Sequence, residues 1–155
     1  MKPIPSVRKR SVALAIRPQD DGSGVLLVRR PDDDDEFPGA WGLPAATCIG
    51  PETLEDAARC IARDKLGVEF RLGKAIGSGV QDRADYVIEM HLFEAWLDGN
   101  HPTLAVDSQG SGLTYYASWR WGEPSELVDS ARTGSLCSRL LLDAVGVVWD
   151  CPSGT

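Results

Sequence analysis

The feature that most constrains the fold of this 155-residue chain is a helical segment with clear signals at both ends. Residues 52–66 are predicted to form this helix, because Thr53 fits the N-cap position and Asp56, three residues later, completes a capping-box-like pair. Gly67 follows the segment, where the C-terminal end of a helix favours glycine. At about 100° per residue, one side of the helix carries Leu54, Ala58, Ile61, Ala62 and Lys65.

The segments around this helix have the patterns of β-strands and of two further helices. Turn residues at 19–24 separate two aliphatic runs, 11–17 and 25–30, which predicts a β-hairpin. Residues 31–42 contain proline, glycine and five consecutive acids, so they are predicted to form a loop with a solvated acidic run. Further strands are predicted at 43–48, 70–78 and 85–97, with another that ends at Trp121, and helices are predicted from Pro124 and over 135–145. Without an internal repeat or a long linker, this order predicts one α/β sandwich domain over residues 1–155.

Composition and charge exclude several classes of partner. The chain has 16 Lys and Arg against 23 Asp and Glu, a formal net charge of −7. This balance gives no basic surface for duplex nucleic acid or for an anionic membrane, although a small basic patch can still hold one nucleotide. No apolar run approaches the ~20 residues of a membrane-spanning helix. Four scattered cysteines with no C-x-x-C pair predict free thiols and a cytoplasmic protein, namely Cys48, Cys60, Cys137 and Cys151.

Several short motifs occur in an order that resembles the Nudix hydrolase family. They are VLLVRR at 25–30, FPGAWGLPA at 37–45, LGV at 66–68, HLFEAWL at 91–97 and WRWGEPSEL at 119–127. The resemblance covers about residues 6–147 and leaves a short C-terminal tail. It implies a Nudix-like α/β/α sandwich with a mixed central sheet.

The helix region also resembles the family's signature box, G-x5-E-x7-R-E-U-x-E-E-x-G-U, where U is a bulky aliphatic residue. Without a gap, Ala46 takes the place of the first glycine and Glu52 that of the first glutamate. Cys60 and Ile61 take the places of the Arg-Glu pair, Asp64 and Lys65 those of the Glu-Glu pair, and Gly67 and Val68 close the box. The frame of the box is kept, but several of its chemical groups are replaced.

The resemblance implies a Mg²⁺ or Mn²⁺ cofactor held by helix carboxylates that converge on one hard cation. Only Glu52 and Asp64 remain as candidate metal ligands and catalytic residues, so the metal site is predicted to be impaired and the chain either uses Mg²⁺ or Mn²⁺ or has no cofactor. Changing Ile61 and Lys65 to glutamate together is expected to restore cation binding to some degree, because both changes return carboxylates to the same helix surface. Glu52 could equally cap the helix N-terminus, where the helix dipole stabilises a carboxylate.

Three basic residues are candidates for binding substrate phosphates. Lys65 replaces an acid, and its ammonium is expected to pair internally with Glu52 or Asp64; the alternative is that it holds a phosphate directly. Arg29 and Arg30 end a strand beside the acidic loop, so phosphate binding and a charge pair with that loop are equally favoured.

Two functions follow from these residues and from the resemblance. The first is a divergent Nudix hydrolase that acts on a nucleoside diphosphate linked to another group, with an impaired metal site. The second is a non-catalytic Nudix-fold module that binds a nucleotide or phosphate metabolite through Lys65, Arg29 and Arg30, or that binds a protein partner. Both allow a homodimer, and neither involves duplex nucleic acid or a membrane.

Overall fold

The computed structural model describes residues 7–18, 24–33, 37–83, 86–99, 102–104 and 116–149. Its strands are β1 (Arg8–Arg17), β2 (Val25–Arg29), β3 (Trp41–Gly42), β4 (Ala45–Thr47), β5 (Phe70–Asp82), β6 (Val87–Leu97) and β7 (Ser118–Gly122). Helix α1 (Leu54–Cys60) continues into a π-helical turn (Ile61–Lys65). A 3₁₀ turn (Pro124–Leu127) leads into α2 (Val128–Arg132), and α3 (Leu136–Val145) follows.

The strands form a mixed four-stranded sheet and a smaller antiparallel sheet. The order of the larger sheet is β4-β1-β6-β5, and the smaller sheet has the order β3-β2-β7. Strands β1 and β6 are parallel, paired from Arg8 with Val87 to Arg17 with Trp96, and all other pairs are antiparallel. The prediction of a mixed α/β fold is therefore confirmed.

Strand β1 lies at the centre of the molecule and has a hydrophobic core on each side. Val12, Leu14 and Ile16 pack into one core cluster with residues of α1, whereas Ala13 and Ala15 face a second cluster that includes residues of α3. All five of these side chains are fully buried. A strand that is buried on both faces has a continuous apolar run rather than an alternating one, which explains the aliphatic sequence of 12–16.

The prediction that β1 and β2 form a hairpin is wrong. Strand β1 pairs with β4 on one edge and with β6 on the other, and β2 pairs with β3 and β7 in the other sheet. Both edges of β1 are therefore occupied, and β2 has no place beside it. The predicted loop at 31–42 also contains strand β3 at its end. The turn at 19–23 and acidic residues 34–36 lie outside the described residues.

The predicted helix begins as expected and ends differently. The backbone N–H of Asp56 donates to Thr53 Oγ1 (3.1 Å), and the N–H of Thr53 donates to Asp56 Oδ2 (3.0 Å), so the capping box is confirmed. After Cys60 the spacing of the backbone hydrogen bonds changes from four residues to five, so the N–H of Leu66 donates to the carbonyl oxygen of Ile61 (3.0 Å). Such π turns are rare and are frequently found at functional sites.

Loss of the N-cap side chain is expected to weaken the helix measurably. Thr53→Ala removes the acceptor for the Asp56 N–H and should lower the free energy of unfolding by about 1 kcal/mol. Denaturant unfolding of the variant beside the parent measures this. Thr53→Ser keeps the hydroxyl and should stay within a few tenths of a kcal/mol of the parent; an equal loss in both variants would contradict the capping role.

Two further expectations concern the cysteines and membranes. Cys48, Cys60 and Cys137 are free thiols, as predicted, and Cys151 lies outside the described residues. Across the described ranges, every helix is too short or too polar to cross a membrane.

Candidate ligand-binding cleft

A cleft of about 380 Å³ lies where the two sheets approach the π-helical turn. Its lining includes three basic side chains (Arg30, Lys65 and Arg83) and one carboxylate (Glu52). The aromatic residues of the lining are Phe37, Trp41, Tyr86 and Tyr116. Of the residues predicted from the sequence to form a site, the structure places Glu52, Lys65 and Arg30 in this cleft. Asp64 and Arg29 are absent from its lining.

Lys65 is the buried basic residue of the cleft, with only 6% of its surface exposed. Its Nζ donates to the carbonyl oxygen of Ala45 (2.6 Å) and lies 5.4 Å from the centre of the Tyr116 ring. The Tyr116 hydroxyl donates to the same oxygen (3.2 Å) and accepts from the N–H of Ala45 (2.9 Å). The phenol therefore contacts the backbone on both sides of the Ala45 Cα and helps to fix the carbonyl oxygen to which the ammonium donates.

The prediction that Lys65 forms an internal ion pair is wrong. All three residues are described, and no ion pair joins Lys65 to Glu52 or to Asp64. The physical reason is that the lysine side chain reaches a backbone carbonyl of β4, on the strand beside the helix. An acidic partner is therefore not what holds this ammonium in place.

Glu52 belongs to the turn that precedes α1. Its Oε1 accepts a hydrogen bond from the backbone N–H of Ile49 (2.7 Å), while Thr53 is the residue that caps the helix. The carboxylate thus closes the turn at 49–52 and does not cap the helix N-terminus. Glu52 also lines the cleft, and among the described lining residues it is the one with a carboxylate.

Asp64 lies on the outer side of the π-helical turn. Its side chain is 43% exposed, and Oδ1 lies 3.6 Å from Arg63 Nε. Burial, and then a hydrogen bond to the Asp64 carboxylate, raise the pKa of the neighbouring Cys60 thiol. Both effects disfavour the thiolate form of Cys60, which is the form that binds metals or acts as a nucleophile.

The two arginines at the end of β2 differ in their surroundings. Arg29 Nη2 lies 2.5 Å from Asp32 Oδ1, so the charge pair with the acidic loop forms at this residue. Arg30 lines the cleft, and its guanidinium lies 5.5 Å from the centre of the Phe37 ring. Arg83 lies at the same distance from that ring. Two guanidinium groups therefore lie near the Phe37 ring in the cleft.

The residues at the box positions do not fit a divalent metal ion. Within the described ranges, no group of three His, Cys, Asp or Glu side chains could hold one. Ile61 is 0% exposed and packs in the core cluster beside α1, and Lys65 brings a positive charge to the other replaced position. A hard cation such as Mg²⁺ needs oxygen ligands, which neither side chain provides.

Comparison with known proteins identifies the architecture. No family model and no curated protein matches the chain. Solved structures do: the MutT protein from Methanosarcina mazei has a TM-score of 0.69 at 14% identity and covers 93% of this chain and 94% of its own. The chain has the Nudix fold.

Two more solved structures agree with this assignment. The ORF135 protein of E. coli has a TM-score of 0.62 at 20% identity over 95% of each chain. A NUDIX hydrolase from Nitrosomonas europaea has a TM-score of 0.66 at 15% identity, covering 89% of this chain and 88% of its own. The Nudix-like sandwich expected from the sequence motifs is therefore confirmed at the level of the fold.

Several residues of the cleft gave no signal in the sequence. Tyr116 follows a Gly- and Ser-rich segment and lies 71 residues beyond Ala45, so nothing local indicates their hydrogen bonds. Ser130 on α2 donates to the carbonyl oxygen of Trp41 (2.5 Å) and thereby ties β3 to the helical side of the cleft. The motif positions of Glu52, Lys65 and Arg30 did indicate this region from the sequence.

Proposed function

We propose that this Nudix-fold protein binds a nucleotide or a related phosphorylated metabolite in the cleft and that it lacks efficient metal-dependent hydrolysis. The observation that carries the proposal is the charge of the cleft lining. Among the lining residues that the structure describes, three are cations, Arg30, Lys65 and Arg83, and one is a carboxylate, Glu52, in a protein whose net charge is −7. A local concentration of cations in a cleft attracts an anionic ligand.

The aromatic side chains of the cleft favour a ligand that also has a planar ring. Phe37, Trp41, Tyr86 and Tyr116 provide apolar surface beside the cations, and aromatic rings stack on one another at 4.5–7 Å. The Trp41 ring is itself supported by the Arg120 guanidinium, 4.7 Å from its centre. A nucleotide has both the phosphate that the cations require and the base that these rings can contact.

Hydrolysis of a nucleoside diphosphate linked to another group is the second candidate function. It is favoured by the Glu52 carboxylate on the cleft wall and by the fold that the chain shares with a MutT protein and a NUDIX hydrolase. In such a reaction Glu52 would accept a proton from the attacking water. Asp64, outside the cleft, does not add a second carboxylate at that point.

A ligand screen with and without metal separates the two functions. We expect ADP or a dinucleotide to raise the midpoint of thermal unfolding in EDTA, because a ligand that binds only the folded state stabilises it by about 2.7 kcal/mol at 100 times its Kd. Mn²⁺ alone should leave the midpoint unchanged, since Ile61 and Lys65 occupy two ligand positions of the box.

Phosphate release from the same compounds provides the second measurement. Turnover that requires Mn²⁺ and that is lost in Glu52→Gln would favour the hydrolase. A shift of the midpoint by Mn²⁺ alone would contradict the absence of a metal site. If no nucleotide, dinucleotide or phosphorylated sugar shifts the midpoint under either condition, the proposed binding function is wrong.

A further inference from the structure

The ammonium group of Lys65 has more hydrogen-bonding capacity than the surrounding protein uses. A lysine ammonium has three N–H donors. One donates to the carbonyl oxygen of Ala45, and among the described residues the remaining contact is the face of the Tyr116 ring. No carboxylate of the described chain forms an ion pair with it, although the residue is 94% buried.

Such an arrangement is unfavourable unless something else neutralises the charge. A buried charge is costly when it is neither paired nor fully hydrogen-bonded. The Ala45 oxygen is shared with the Tyr116 hydroxyl, so it offers limited further compensation. Because Lys65 lines the cleft, the space next to its ammonium is also the space that a ligand would enter.

We propose that Lys65 is a fixed cation that binds a phosphate group of the ligand directly, at the place in the box where a carboxylate would help to hold a metal ion. The proposal rests on the binding function proposed above and makes that binding independent of divalent metal. Tyr116 is a positioning residue, because its two hydrogen bonds hold the backbone of Ala45, whose carbonyl oxygen accepts from the ammonium. A phosphate oxygen would take the remaining N–H donors as charge-assisted hydrogen bonds.

Calorimetric titration with ADP and with inorganic pyrophosphate tests this inference. The parent should bind with the same affinity in EDTA and in Mn²⁺. Lys65→Met keeps most of the side-chain volume and removes the charge, and its affinity should fall on the order of 10- to 100-fold, the usual range for one hydrogen-bonded charge. Lys74→Met removes an exposed lysine on β5 outside the cleft and should bind like the parent.

Two more variants keep the test decisive. If Lys65→Met fails to fold, Lys65→Gln retains a donor for the Ala45 oxygen and should show the same loss of affinity. Tyr116→Phe keeps the ring and removes the hydroxyl, so it should weaken binding less than Lys65→Met does. An equal loss in Lys74→Met would show that only overall charge matters and would overturn the inference.

The outcomes distinguish this inference from the function on which it rests. Binding by the parent that requires Mn²⁺, or that survives unchanged in both Lys65 variants, would overturn the role of Lys65 while the binding function stands. If the parent binds neither ADP nor pyrophosphate under any condition, both proposals fail together.

Discussion

Ile61→Glu is expected to be among the most destabilising single substitutions in this chain. Ile61 is 0% exposed and packs in the core cluster that contains Leu14, Leu26 and Leu66. The substitution removes buried apolar atoms and places a carboxyl group among aliphatic side chains. We expect the free energy of unfolding to fall by at least about 4 kcal/mol, since losing a buried isoleucine costs 2–5 kcal/mol and burying an unpaired polar group adds to it.

Ile61→Val is the matched control, because it keeps the apolar character and removes one methyl group. It should cost about 1 kcal/mol. Urea unfolding followed by circular dichroism measures both variants. A cost for Ile61→Glu within 1 kcal/mol of that for Ile61→Val would show that the side chain can turn toward solvent, and the core position would then be wrong.

The same geometry argues against an expectation drawn from the sequence. Changing Ile61 and Lys65 to glutamate was expected to return carboxylates to one helix surface. In the structure Ile61 is in the core, whereas Lys65 lines the cleft and reaches Ala45. The two side chains therefore lie in different surroundings. The double substitution is expected to bury a carboxyl group at position 61 and to destabilise the fold rather than to form a metal site.

The parts of the fold that depend on local sequence were predictable. The capping box at Thr53 and Asp56, the Pro124 helix start and the helix beginning after Ser135 are all encoded within a few residues. The partners of β1 and β2 were not, because adjacent strands in sequence need not pair when other strands occupy both edges. The π-helical turn likewise has no simple local signal, and the regular α-helix ends at Cys60, six residues before the predicted end.

The candidate site was also predictable only in part from the sequence. Glu52, Lys65 and Arg30 were identified from motif positions, and the structure brings all three to one cleft. The hydrogen-bond acceptor of the Lys65 ammonium could not be predicted, because it is a backbone carbonyl oxygen 20 residues away. Every residue has such a carbonyl, so the sequence does not indicate which one is used. The sequence predicts a carboxylate as the partner of the Lys65 ammonium, because buried charges are commonly paired with an opposite charge. In the structure the partner is instead the carbonyl oxygen of Ala45.

Gly67→Ala is expected to destabilise the protein by about 2–4 kcal/mol, for two separate reasons. Gly67 has a φ of +64°, in the left-handed region that is unfavourable for residues with a Cβ. A Cβ at this position would also lie 2.4 Å from the carbonyl oxygen of Thr103, a backbone atom that cannot rotate away. Thr103 is held in turn by a hydrogen bond from its N–H to the carbonyl of Leu66 (2.8 Å).

Gly50→Ala separates the two contributions. Gly50 has a similar φ of +57°, but a Cβ there would meet nothing within 4 Å. This variant should therefore show the backbone cost alone, about 1–2 kcal/mol, and the excess in Gly67→Ala measures the clash with Thr103. Denaturant unfolding of both variants gives the difference. Equal losses would mean that residues 102–104 yield to the new methyl group, and the close contact at the end of the π-helical turn would then contribute nothing to stability.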